Sequence, residues 1–532
     1  MSENHVHEVD NGDGTTTQIE LAGTGTANRQ TNGARSPEMY GRRQIFTNEM
    51  EITRGNVLEV LNKALVTHQR NRQEEIYLEQ YMRGMQPILH RIKKYHEEIN
   101  NQTVVNIANQ IVTFKTSEFA GEPIQYISRG SGADATEKVA ALNAMMLSEG
   151  KQSKDMRLAH KMYCTGVGYR LVIHDQSVGH SELFDEAPFE VYIPDPQNTF
   201  VVRANDVSKR VVMGVTYVYL DDADTRVRYT VYTDNVTYTI DGSVMAASEI
   251  IREDRHNFGM VTLIEYPCNA DYLGAFEVVL PLLDAYNLMV SNRLDGVEQF
   301  IQAIMVFEGV SIDREKFLSL KDEGALLVPP DPNGRTGRVY YLNEQLDQSQ
   351  TQTLVNDLYQ TILQIVGLPS QGNANTSDSS NNGAVIMKNG WFNAEARALE
   401  TEAMWKASET EFLKVVLRIC EQTGKLTGLK LSDLEPRFGR RSYEDLLTKT
   451  QGFVNLINAK MPPIQALTYS KLSKDPESDA IVYNEYQEEL VRQLDEETRR
   501  DGYRNDNWRD DTRSQSLDRE TYVSTREAGE LP

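Results

Sequence analysis

Apolar residues in this chain follow two different periods, and the changes between them divide it into regions. Helical spacing begins near Thr53 and returns over residues 106–114 and 135–164, so helices are predicted there. Short alternating apolar runs then extend from residue 169 to residue 240, which is typical of half-buried strands. The first half of the chain is therefore predicted to combine helices with a mixed antiparallel β region.

A long amphipathic helix is predicted over residues 274–300, where the helical period returns. At 1.5 Å per residue it is roughly 40 Å long. One face is broadly apolar, and on the other face polar residues recur every seven positions, so we expect that face to stay hydrated. The polar residues are Glu277, Asp284, Ser291 and Glu298, with Asp295 beside the last two.

A small α/β insert is predicted between this helix and the next one. Short strands around one small helix are expected over residues 301–346, and a second helix with an apolar face follows over 347–366. Residues 370–383 are small, polar and almost uncharged; long loops of this kind are uncommon inside compact domains and are often functional. Further helices are predicted over residues 384–423, 443–459, 462–473 and 478–500.

Both ends of the chain differ in composition from the region between them. Residues 1–48 are rich in Gly, Thr, Asn and Ser, and residues 501–532 are rich in charge, so both are predicted to be disordered. The N-terminus lacks the basic start and apolar run of a signal peptide. No apolar run reaches 18 residues, so no membrane helix is expected.

The charge and the cysteines narrow the function classes. The chain of 532 residues has a net charge of −23. This argues against a static DNA binder, because affinity for the duplex comes largely from Lys and Arg contacts to phosphate. It argues less against a channel, along which DNA must slide without being gripped. The widely spaced Cys164, Cys268 and Cys420 favour free thiols in a reducing, intracellular compartment.

A search for enzyme motifs finds no catalytic or cofactor-binding signature. The chain has no Walker-type glycine loop, no Gly-x-Ser-x-Gly and no His-Glu-x-x-His. Acidic pairs at Asp221-Asp222 and Asp510-Asp511 leave open a metal-dependent nucleic-acid-processing enzyme, although solvated turns and tails explain such pairs more simply. Such an enzyme needs carboxylates that converge in one pocket. A purely structural helical scaffold is a further alternative, but it would not need the α/β insert.

Several segments, in order and spacing, resemble the portal proteins of siphophages in the class typified by the Bacillus phage SPP1 portal. The most specific is DAYNLMVSNRLDGVEQF at residues 284–300, which leads into AIMVF at 303–307. The resemblance also extends to YMRGMQPIL at residues 81–89 and IPDPQNTFVV at residues 193–202. The remaining segments lie at residues 106–112, 121–124 and 166–169. The resemblance spans about residues 50–470.

The resemblance implies an α+β, ring-forming portal fold with named parts. It implies a mixed α/β wing at residues 49–270, to which the long helix and following segment of 384–439 return. It implies a two-helix stem at 271–300 and 347–367, and a small α/β clip at 301–346. A tunnel loop at 368–383 and a helical crown at 440–500 complete the subunit.

The resemblance also implies a function without enzymatic activity or cofactor. A homo-oligomeric ring, usually a dodecamer, would sit at the unique capsid vertex of the virion, after assembly in the host cytoplasm. It would pass double-stranded DNA non-specifically during packaging and ejection. Its implied partners are the terminase large subunit, a head-completion or adaptor protein, and the major capsid and scaffolding proteins, with no membrane.

Site residues follow from this placement. The stem residues Glu277, Asp284, Ser291, Asp295 and Glu298 are expected to face the DNA channel. The tunnel loop is expected to contribute Asn373, Asn375, Thr376, Ser377, Ser379 and Asn381. Docking of the terminase and the connector protein is expected at Asp331, Asn333, Arg335 and Arg338 of the clip.

Overall fold

The architecture of the chain is given by a computed structural model. It describes residues 6–10, 16–20, 41–93, 97–129, 133–174, 187–221, 225–301, 305–308, 338–341, 348–369, 390–439, 446–473, 476, 479–494 and 496. The chain divides into two units, residues 1–441 and 442–532.

The first unit mixes helices and strands. Its helices are α1 (Val57–Met82), α2 (Ile107–Ala120), α3 (Ala133–Ser148), α4 (Lys151–Thr165), α5 (Leu280–Ile301), α6 (Gln348–Val366) and α7 (Trp391–Thr423). Its strands are β1 (Val6–Asp10), β2 (Thr16–Glu20), β3 (Ile45–Thr47), β4 (Ile124–Ser128), β5 (Val167–His174), β6 (Phe189–Tyr192), β7 (Thr199–Ala204), β8 (Val211–Tyr219), β9 (Val227–Tyr232), β10 (Val236–Ser243), β11 (Ala246–Arg255), β12 (Leu263–Pro267), β13 (Met305–Glu308), β14 (Arg338–Tyr341) and β15 (Leu434–Phe438). Single 3-10 turns lie at Pro87–His90, Pro196–Asn198, Glu277–Val279 and Leu431–Asp433.

The largest sheet among the described residues has the strand order β11-β10-β9-β8-β7-β3. Strands β7 to β11 form an antiparallel meander, and β3 joins its edge in parallel to β7. Helix α1 packs on this sheet, with Leu61 and Leu65 buried in the same cluster as Val215 and Tyr229. Because fully burying a Leu side chain contributes about 1.5–3 kcal/mol, the apolar face of α1 holds the helix on the sheet.

A second core surrounds the smaller sheet β12-β5-β6 and the helices α2, α4 and α7. The Trp405 ring of α7 lies 5.1 Å from Phe119 of α2 and 4.7 Å from Tyr266 of β12, centroid to centroid. These aromatic contacts join a helix near the end of the unit to elements from its first half.

Helix α4 passes directly into β5 at Gly166, where the backbone has a φ of +90°. A Cβ atom at this position would lie 2.2 Å from the Tyr272 carbonyl oxygen. Only glycine therefore allows the chain around residue 272 to pass so close to the turn. The strand predicted after Gly166 is confirmed.

Four charged side chains are buried together between α4, β5 and α7, and we call Lys151, Asp155, Arg170 and Glu409 the ionic cluster. Glu409 lies 2.9 Å from Arg170 and 3.1 Å from Lys151, and it accepts hydrogen bonds from the hydroxyls of Tyr126 and Tyr266. Burial alone would raise the pKa of Glu409, but Arg170 and Lys151 lower it to about 2. The carboxylate is therefore charged inside the core, and it fixes α7 to the sheet.

Most predicted elements are confirmed. The helical region predicted over 135–164 consists of two helices, with Gly150 at a φ of +62° between α3 and α4. The prediction of disorder over residues 1–48 is wrong for β1, β2 and β3, where β1 pairs with β2 and β3 joins the main sheet. An alternating apolar pattern is weak in these short strands, which are stabilised by pairing, β1 with β2 and β3 with β7.

Four further strands were not predicted. Strand β11 is rich in charge because it lies at a sheet edge, where side chains meet solvent. Strands β4 and β15 pair with each other although they are far apart in the sequence, with Ile124 opposite Phe438. Strand β12 pairs with β5. Such pairing depends on partners that local patterns do not reveal.

The second unit is helical where it is described. Its helices are α8 (Leu446–Asn458), α9 (Pro463–Ser470) and α10, at residues 479–494. The rings of Phe453 and Tyr483 pack edge to face with centroids 5.9 Å apart, which joins α8 to α10. The helices predicted near residues 443, 462 and 478 are therefore confirmed.

Candidate functional site

Helices α5 and α6 pack against each other. In the sequence, α5 precedes strands β13 and β14, and α6 follows them. The rings of Tyr286 on α5 and Tyr359 on α6 have centroids 6.1 Å apart. Arg293 of α5 also donates a hydrogen bond to Gln352 of α6. Strands β13 and β14 pair antiparallel, with Glu308 opposite Arg338. A two-stranded unit thus follows one helix and precedes its partner, and the small helix predicted for this insert lies outside the described residues.

The polar face of α5 is covered by the chain segment at residues 97–106, which we call the strap. Backbone N–H groups of the strap donate to side-chain oxygens of the helix: Asn101 to Asp295 at 2.7 Å, Thr103 to Ser291 at 3.0 Å, and Val105 to Asn287 at 2.9 Å. We call these three bonds the ladder.

The ladder has a simple geometric cause. Every second residue of the strap donates to every fourth residue of α5, and the strap runs antiparallel to the helix. Two residues of extended chain advance about 6.6 Å, and four residues of α-helix advance about 6.0 Å. The two repeats therefore stay in register over three bonds, so a helix face supplies acceptors to a segment that has no strand partner.

Asp295 is the most heavily bonded residue of this face. Besides two bonds from Asn101, it pairs with Arg91 and Lys93, each at 3.0 Å. Burial tends to raise the pKa of Asp295, but the Asn101 backbone N–H, the Lys93 bond and further donors hold it below its usual range. Asp295 therefore stays ionised and joins the strap to α5 by charge.

The other acids of the predicted face are also bonded within the chain. Glu277 is 0 % exposed, pairs with Arg42 at 2.8 Å and accepts the N–H of Gly274. Asp284 accepts a 2.8 Å hydrogen bond from the Tyr81 hydroxyl. Burial first, and the Asp284 charge second, raise the pKa of that tyrosine well above its usual range. Glu298 accepts a 2.9 Å bond from Asn101.

The predicted hydrated face is therefore wrong for Glu277, Ser291 and Asp295, which are buried, while Asp284 and Glu298 are partly buried and bonded within the chain. A polar residue recurs on one helix face whether its partner is water or a backbone N–H, so the seven-residue spacing did not distinguish the two. On α5 the exposed side chains include Leu288 and Leu294, each 43 % exposed. The assignment of the polar residues to a DNA-facing wall loses its physical basis.

Sequence reasoning also missed the partners that make this face. Asn287 lies in the ladder, and Arg91 and Lys93 neutralise Asp295. The sequence does show that Asn287, Ser291 and Asp295 are spaced by four residues, which places three hydrogen-bond acceptors in one row along the helix. Nothing in the sequence points to the strap as the donor.

Of the remaining predicted site residues, Arg338 alone lies in the described part of the chain. Arg338 is the first residue of β14. The other predicted docking residues, Asp331, Asn333 and Arg335, lie outside the described residues. So do all six tunnel-loop residues, Asn373, Asn375, Thr376, Ser377, Ser379 and Asn381.

The acidic residues proposed for the alternative enzyme do not form a site where they are described. Asp221 accepts hydrogen bonds from the backbone N–H groups of Thr225 and Arg226, so it caps a turn. Asp222, Asp510 and Asp511 lie outside the described residues. In the described part of the chain, no three or more His, Cys, Asp or Glu side chains are grouped so that they could hold a metal ion. Cys164, Cys268 and Cys420 are buried free thiols.

Comparison with known families decides the relationship. A family model described as "Phage portal protein, SPP1 Gp6-like" matches residues 62–501, well over half of the chain. The chain belongs to this phage portal protein family. The predicted resemblance is thus confirmed, and the α5–α6 pair is part of a portal subunit. The family is structural rather than enzymatic.

Other comparisons add little. A solved structure titled "Neck of empty GTA particle computed with C6 symmetry" is 12 % identical in sequence, with a TM-score of 0.40. The match covers 69 % of this portal chain and 90 % of the other chain. No curated protein matches the sequence. Among the described helices, none is long and apolar enough to span a membrane.

Proposed function

We propose that this portal chain forms a ring, of twelve subunits, at the unique capsid vertex, and that double-stranded DNA is packaged and ejected through it. The observation that carries the proposal is the family match over residues 62–501. The ring is a DNA conduit in the virion and contributes no chemistry of its own. It assembles in the host cytoplasm with the major capsid and scaffolding proteins.

Packing of the stem helices is consistent with a ring. Helices α5 and α6 pair with each other, yet Leu288 and Leu294 on α5 and Leu354 and Ile365 on α6 remain 43–52 % exposed. Subunits of a closed ring bury such surfaces on both sides, through head-to-tail contacts. The ring therefore explains apolar side chains that the single chain leaves in water.

In this proposal the clip, residues 301–346, docks the terminase large subunit during packaging and a head-completion or adaptor protein afterwards. Asp331, Asn333, Arg335 and Arg338 supply the charged and polar contacts. Strands β13 and β14 support the placement, since they pair at the far end of the α5–α6 pair. Removing residues 330–335 is expected to spare ring formation, seen by native mass spectrometry, while DNA packaging fails.

The channel lining is assigned to the tunnel loop alone, since the polar face of α5 is buried. The loop sequence at residues 370–383 has no Lys, Arg or aromatic residue and one acid, Asp378. Such a segment neither reads bases nor holds phosphate by charge. Its amides and hydroxyls at Asn373, Asn375, Thr376, Ser377, Ser379 and Asn381 offer brief contacts to a moving DNA backbone.

A cysteine at Ser377 tests the whole proposal. In purified rings, S377C is expected to crosslink neighbouring subunits and to stall packaging, with release by reductant. A cysteine at Ser432, an exposed residue of the first unit, serves as the matched control and is expected to package normally. Monomers at every salt and protein concentration would exclude the ring, and free labelling of S377C in DNA-filled particles would exclude the loop from the channel.

A further inference from the structure

Three helices of the wing region converge on a cleft that the portal function does not use. Its volume is about 490 Å³, within the range of small-molecule sites. Each helix lines the cleft with residues at spacings of three and four, which places them on one face. The triplets are Glu79, Met82 and Arg83 of α1, Thr113, Thr116 and Ser117 of α2, and Arg157, His160 and Lys161 of α4.

Positive charge is in excess in this cleft, although the whole chain is acidic at −23. Glu79 is engaged by Arg83 and by Gln197, and Lys161 pairs with Asp195. Arg157 is exposed and makes no hydrogen bond or ion pair with the described residues. The Arg157 guanidinium is thus available to bind an anion, one helical turn from the Lys161 ammonium group, which Asp195 holds in place.

The floor of the cleft adds hydroxyl groups and an apolar surface. Thr116 is 6 % exposed, and its hydroxyl has no hydrogen-bond partner in the described part of the chain. By contrast, Thr165 in α4 donates to the Lys161 carbonyl, as helical threonines commonly do. The apolar lining comes from Met82, Met156, Cys164 and Pro196.

We propose that this cleft binds a phosphomonoester of a small molecule whose body is apolar or aromatic. A phosphate group has more acceptor oxygens than a carboxylate, and it suits a cleft that is lined by a guanidinium, an ammonium and hydroxyls. The methionine side chains adapt to a planar or apolar body. The assignment goes beyond the DNA conduit and does not depend on it.

Isothermal titration of the full-length chain tests this site with three probes: inorganic phosphate, 2′-deoxyadenosine, and 2′-deoxyadenosine 5′-monophosphate. The monophosphate is expected to bind more tightly than either part alone. Arg157→Ala is expected to weaken both phosphate-bearing probes about tenfold, the loss expected for one charge-assisted contact. Met156→Ala is expected to weaken binding of the monophosphate and to leave binding of inorganic phosphate unchanged. This variant therefore distinguishes contacts with the apolar body of the ligand from contacts with its phosphate group.

The matched control is Arg226→Ala, since Arg226 is an exposed arginine outside the cleft. It is expected to bind all probes like the unaltered chain. Arg157 and Met156 are both exposed, so their variants are expected to fold, which circular dichroism checks. The proposal is overturned if the monophosphate gives no binding up to roughly 10 mM. The proposal is also overturned if Arg157→Ala and Arg226→Ala weaken binding of the monophosphate equally, since the phosphate would then be attracted by the overall charge of the chain and not by the cleft.

Discussion

Two groups of buried polar side chains in the first unit have their hydrogen bonds satisfied in different ways. On α5 the ladder pairs uncharged backbone N–H groups with side-chain oxygens at the edge of the fold. In the ionic cluster, Glu409 depends on Arg170 and Lys151, which are themselves buried. Losing an acceptor from a buried N–H costs about 1–3 kcal/mol, whereas unpairing a buried charge costs about 3–5 kcal/mol. The ladder face of α5 should therefore tolerate substitution better than the ionic cluster.

The largest effect is expected in the ionic cluster, from Glu409→Gln. This change leaves two buried cations, Arg170 and Lys151, with one acid, Asp155, between them, while the Arg170 guanidinium remains buried, 4.4 Å from the Phe412 ring. We expect the free energy of unfolding to fall by about 3–5 kcal/mol, measured by urea denaturation of the purified chain.

Glu421→Gln on the same helix is the matched control. Glu421 lies 3.5 Å from Arg418 at the surface, where an ion pair contributes at most about 1 kcal/mol. If both variants lose the same small amount, water reaches the ionic cluster, and the contrast between the two buried regions fails.

A buried acid without a close partner sharpens the comparison. Glu75 on α1 is 2 % exposed, and one of its carboxyl oxygens has no hydrogen-bond partner in the described part of the chain. Burial raises its pKa to about 8, although Arg42 and Arg72 act in the opposite direction. Burial thus outweighs the neighbouring positive charge and leaves this acid protonated at neutral pH.

The sign of the pH effect follows from that pKa. The folded chain holds the Glu75 proton more tightly than the unfolded chain, so stability is lost as pH rises from about 4.5 to about 8. At pH 7 the loss is about 3 kcal/mol, at 1.36 kcal/mol per pKa unit. Glu75→Gln is expected to remove this part of the decline, measured by unfolding at several pH values.

Glu59→Gln provides the control for this pH series. Glu59 is on the same helix, and its hydrogen bond with Lys63 lowers its pKa. Its own titration therefore lies below the tested range, and the variant should keep the decline. A Glu75→Gln variant that declines as steeply as the unaltered chain would show that Glu75 is ionised when folded.

Elements with a long, regular period could be predicted from the sequence. Helix α6 was expected over residues 347–366 and is found at Gln348–Val366, because its apolar face repeats over five turns. The order of helix, paired strands and helix was also predicted, and the family resemblance is confirmed. Local pattern is sufficient where an element makes its own hydrogen bonds.

Partners distant in the sequence could not be predicted. Arg170 and Glu409 are 239 residues apart, and each alone is typical of a solvated charge. The ladder joins residues about 190 apart, as Thr103 and Ser291 show. A helical period reveals which side chains share a face, but it does not reveal whether water or another segment covers that face.

The smallest expected effect concerns the ladder itself. Ser291→Ala removes the acceptor of the Thr103 N–H, while the bonds of Asn287 and Asp295 on either side remain. We expect the free energy of unfolding to fall by about 1–2 kcal/mol, the lower part of the cost of an unpaired buried N–H, since a strap near the surface can admit water. Hydrogen exchange at the Thr103 amide should accelerate, and exchange within α5 should stay unchanged. Ser432→Ala, which removes an exposed hydroxyl bonded to Asp433, should stay within about 0.5 kcal/mol of the unaltered chain. A loss as large as that of Glu409→Gln would mean that the strap and α5 unfold together, and that backbone donors matter here as much as buried charges.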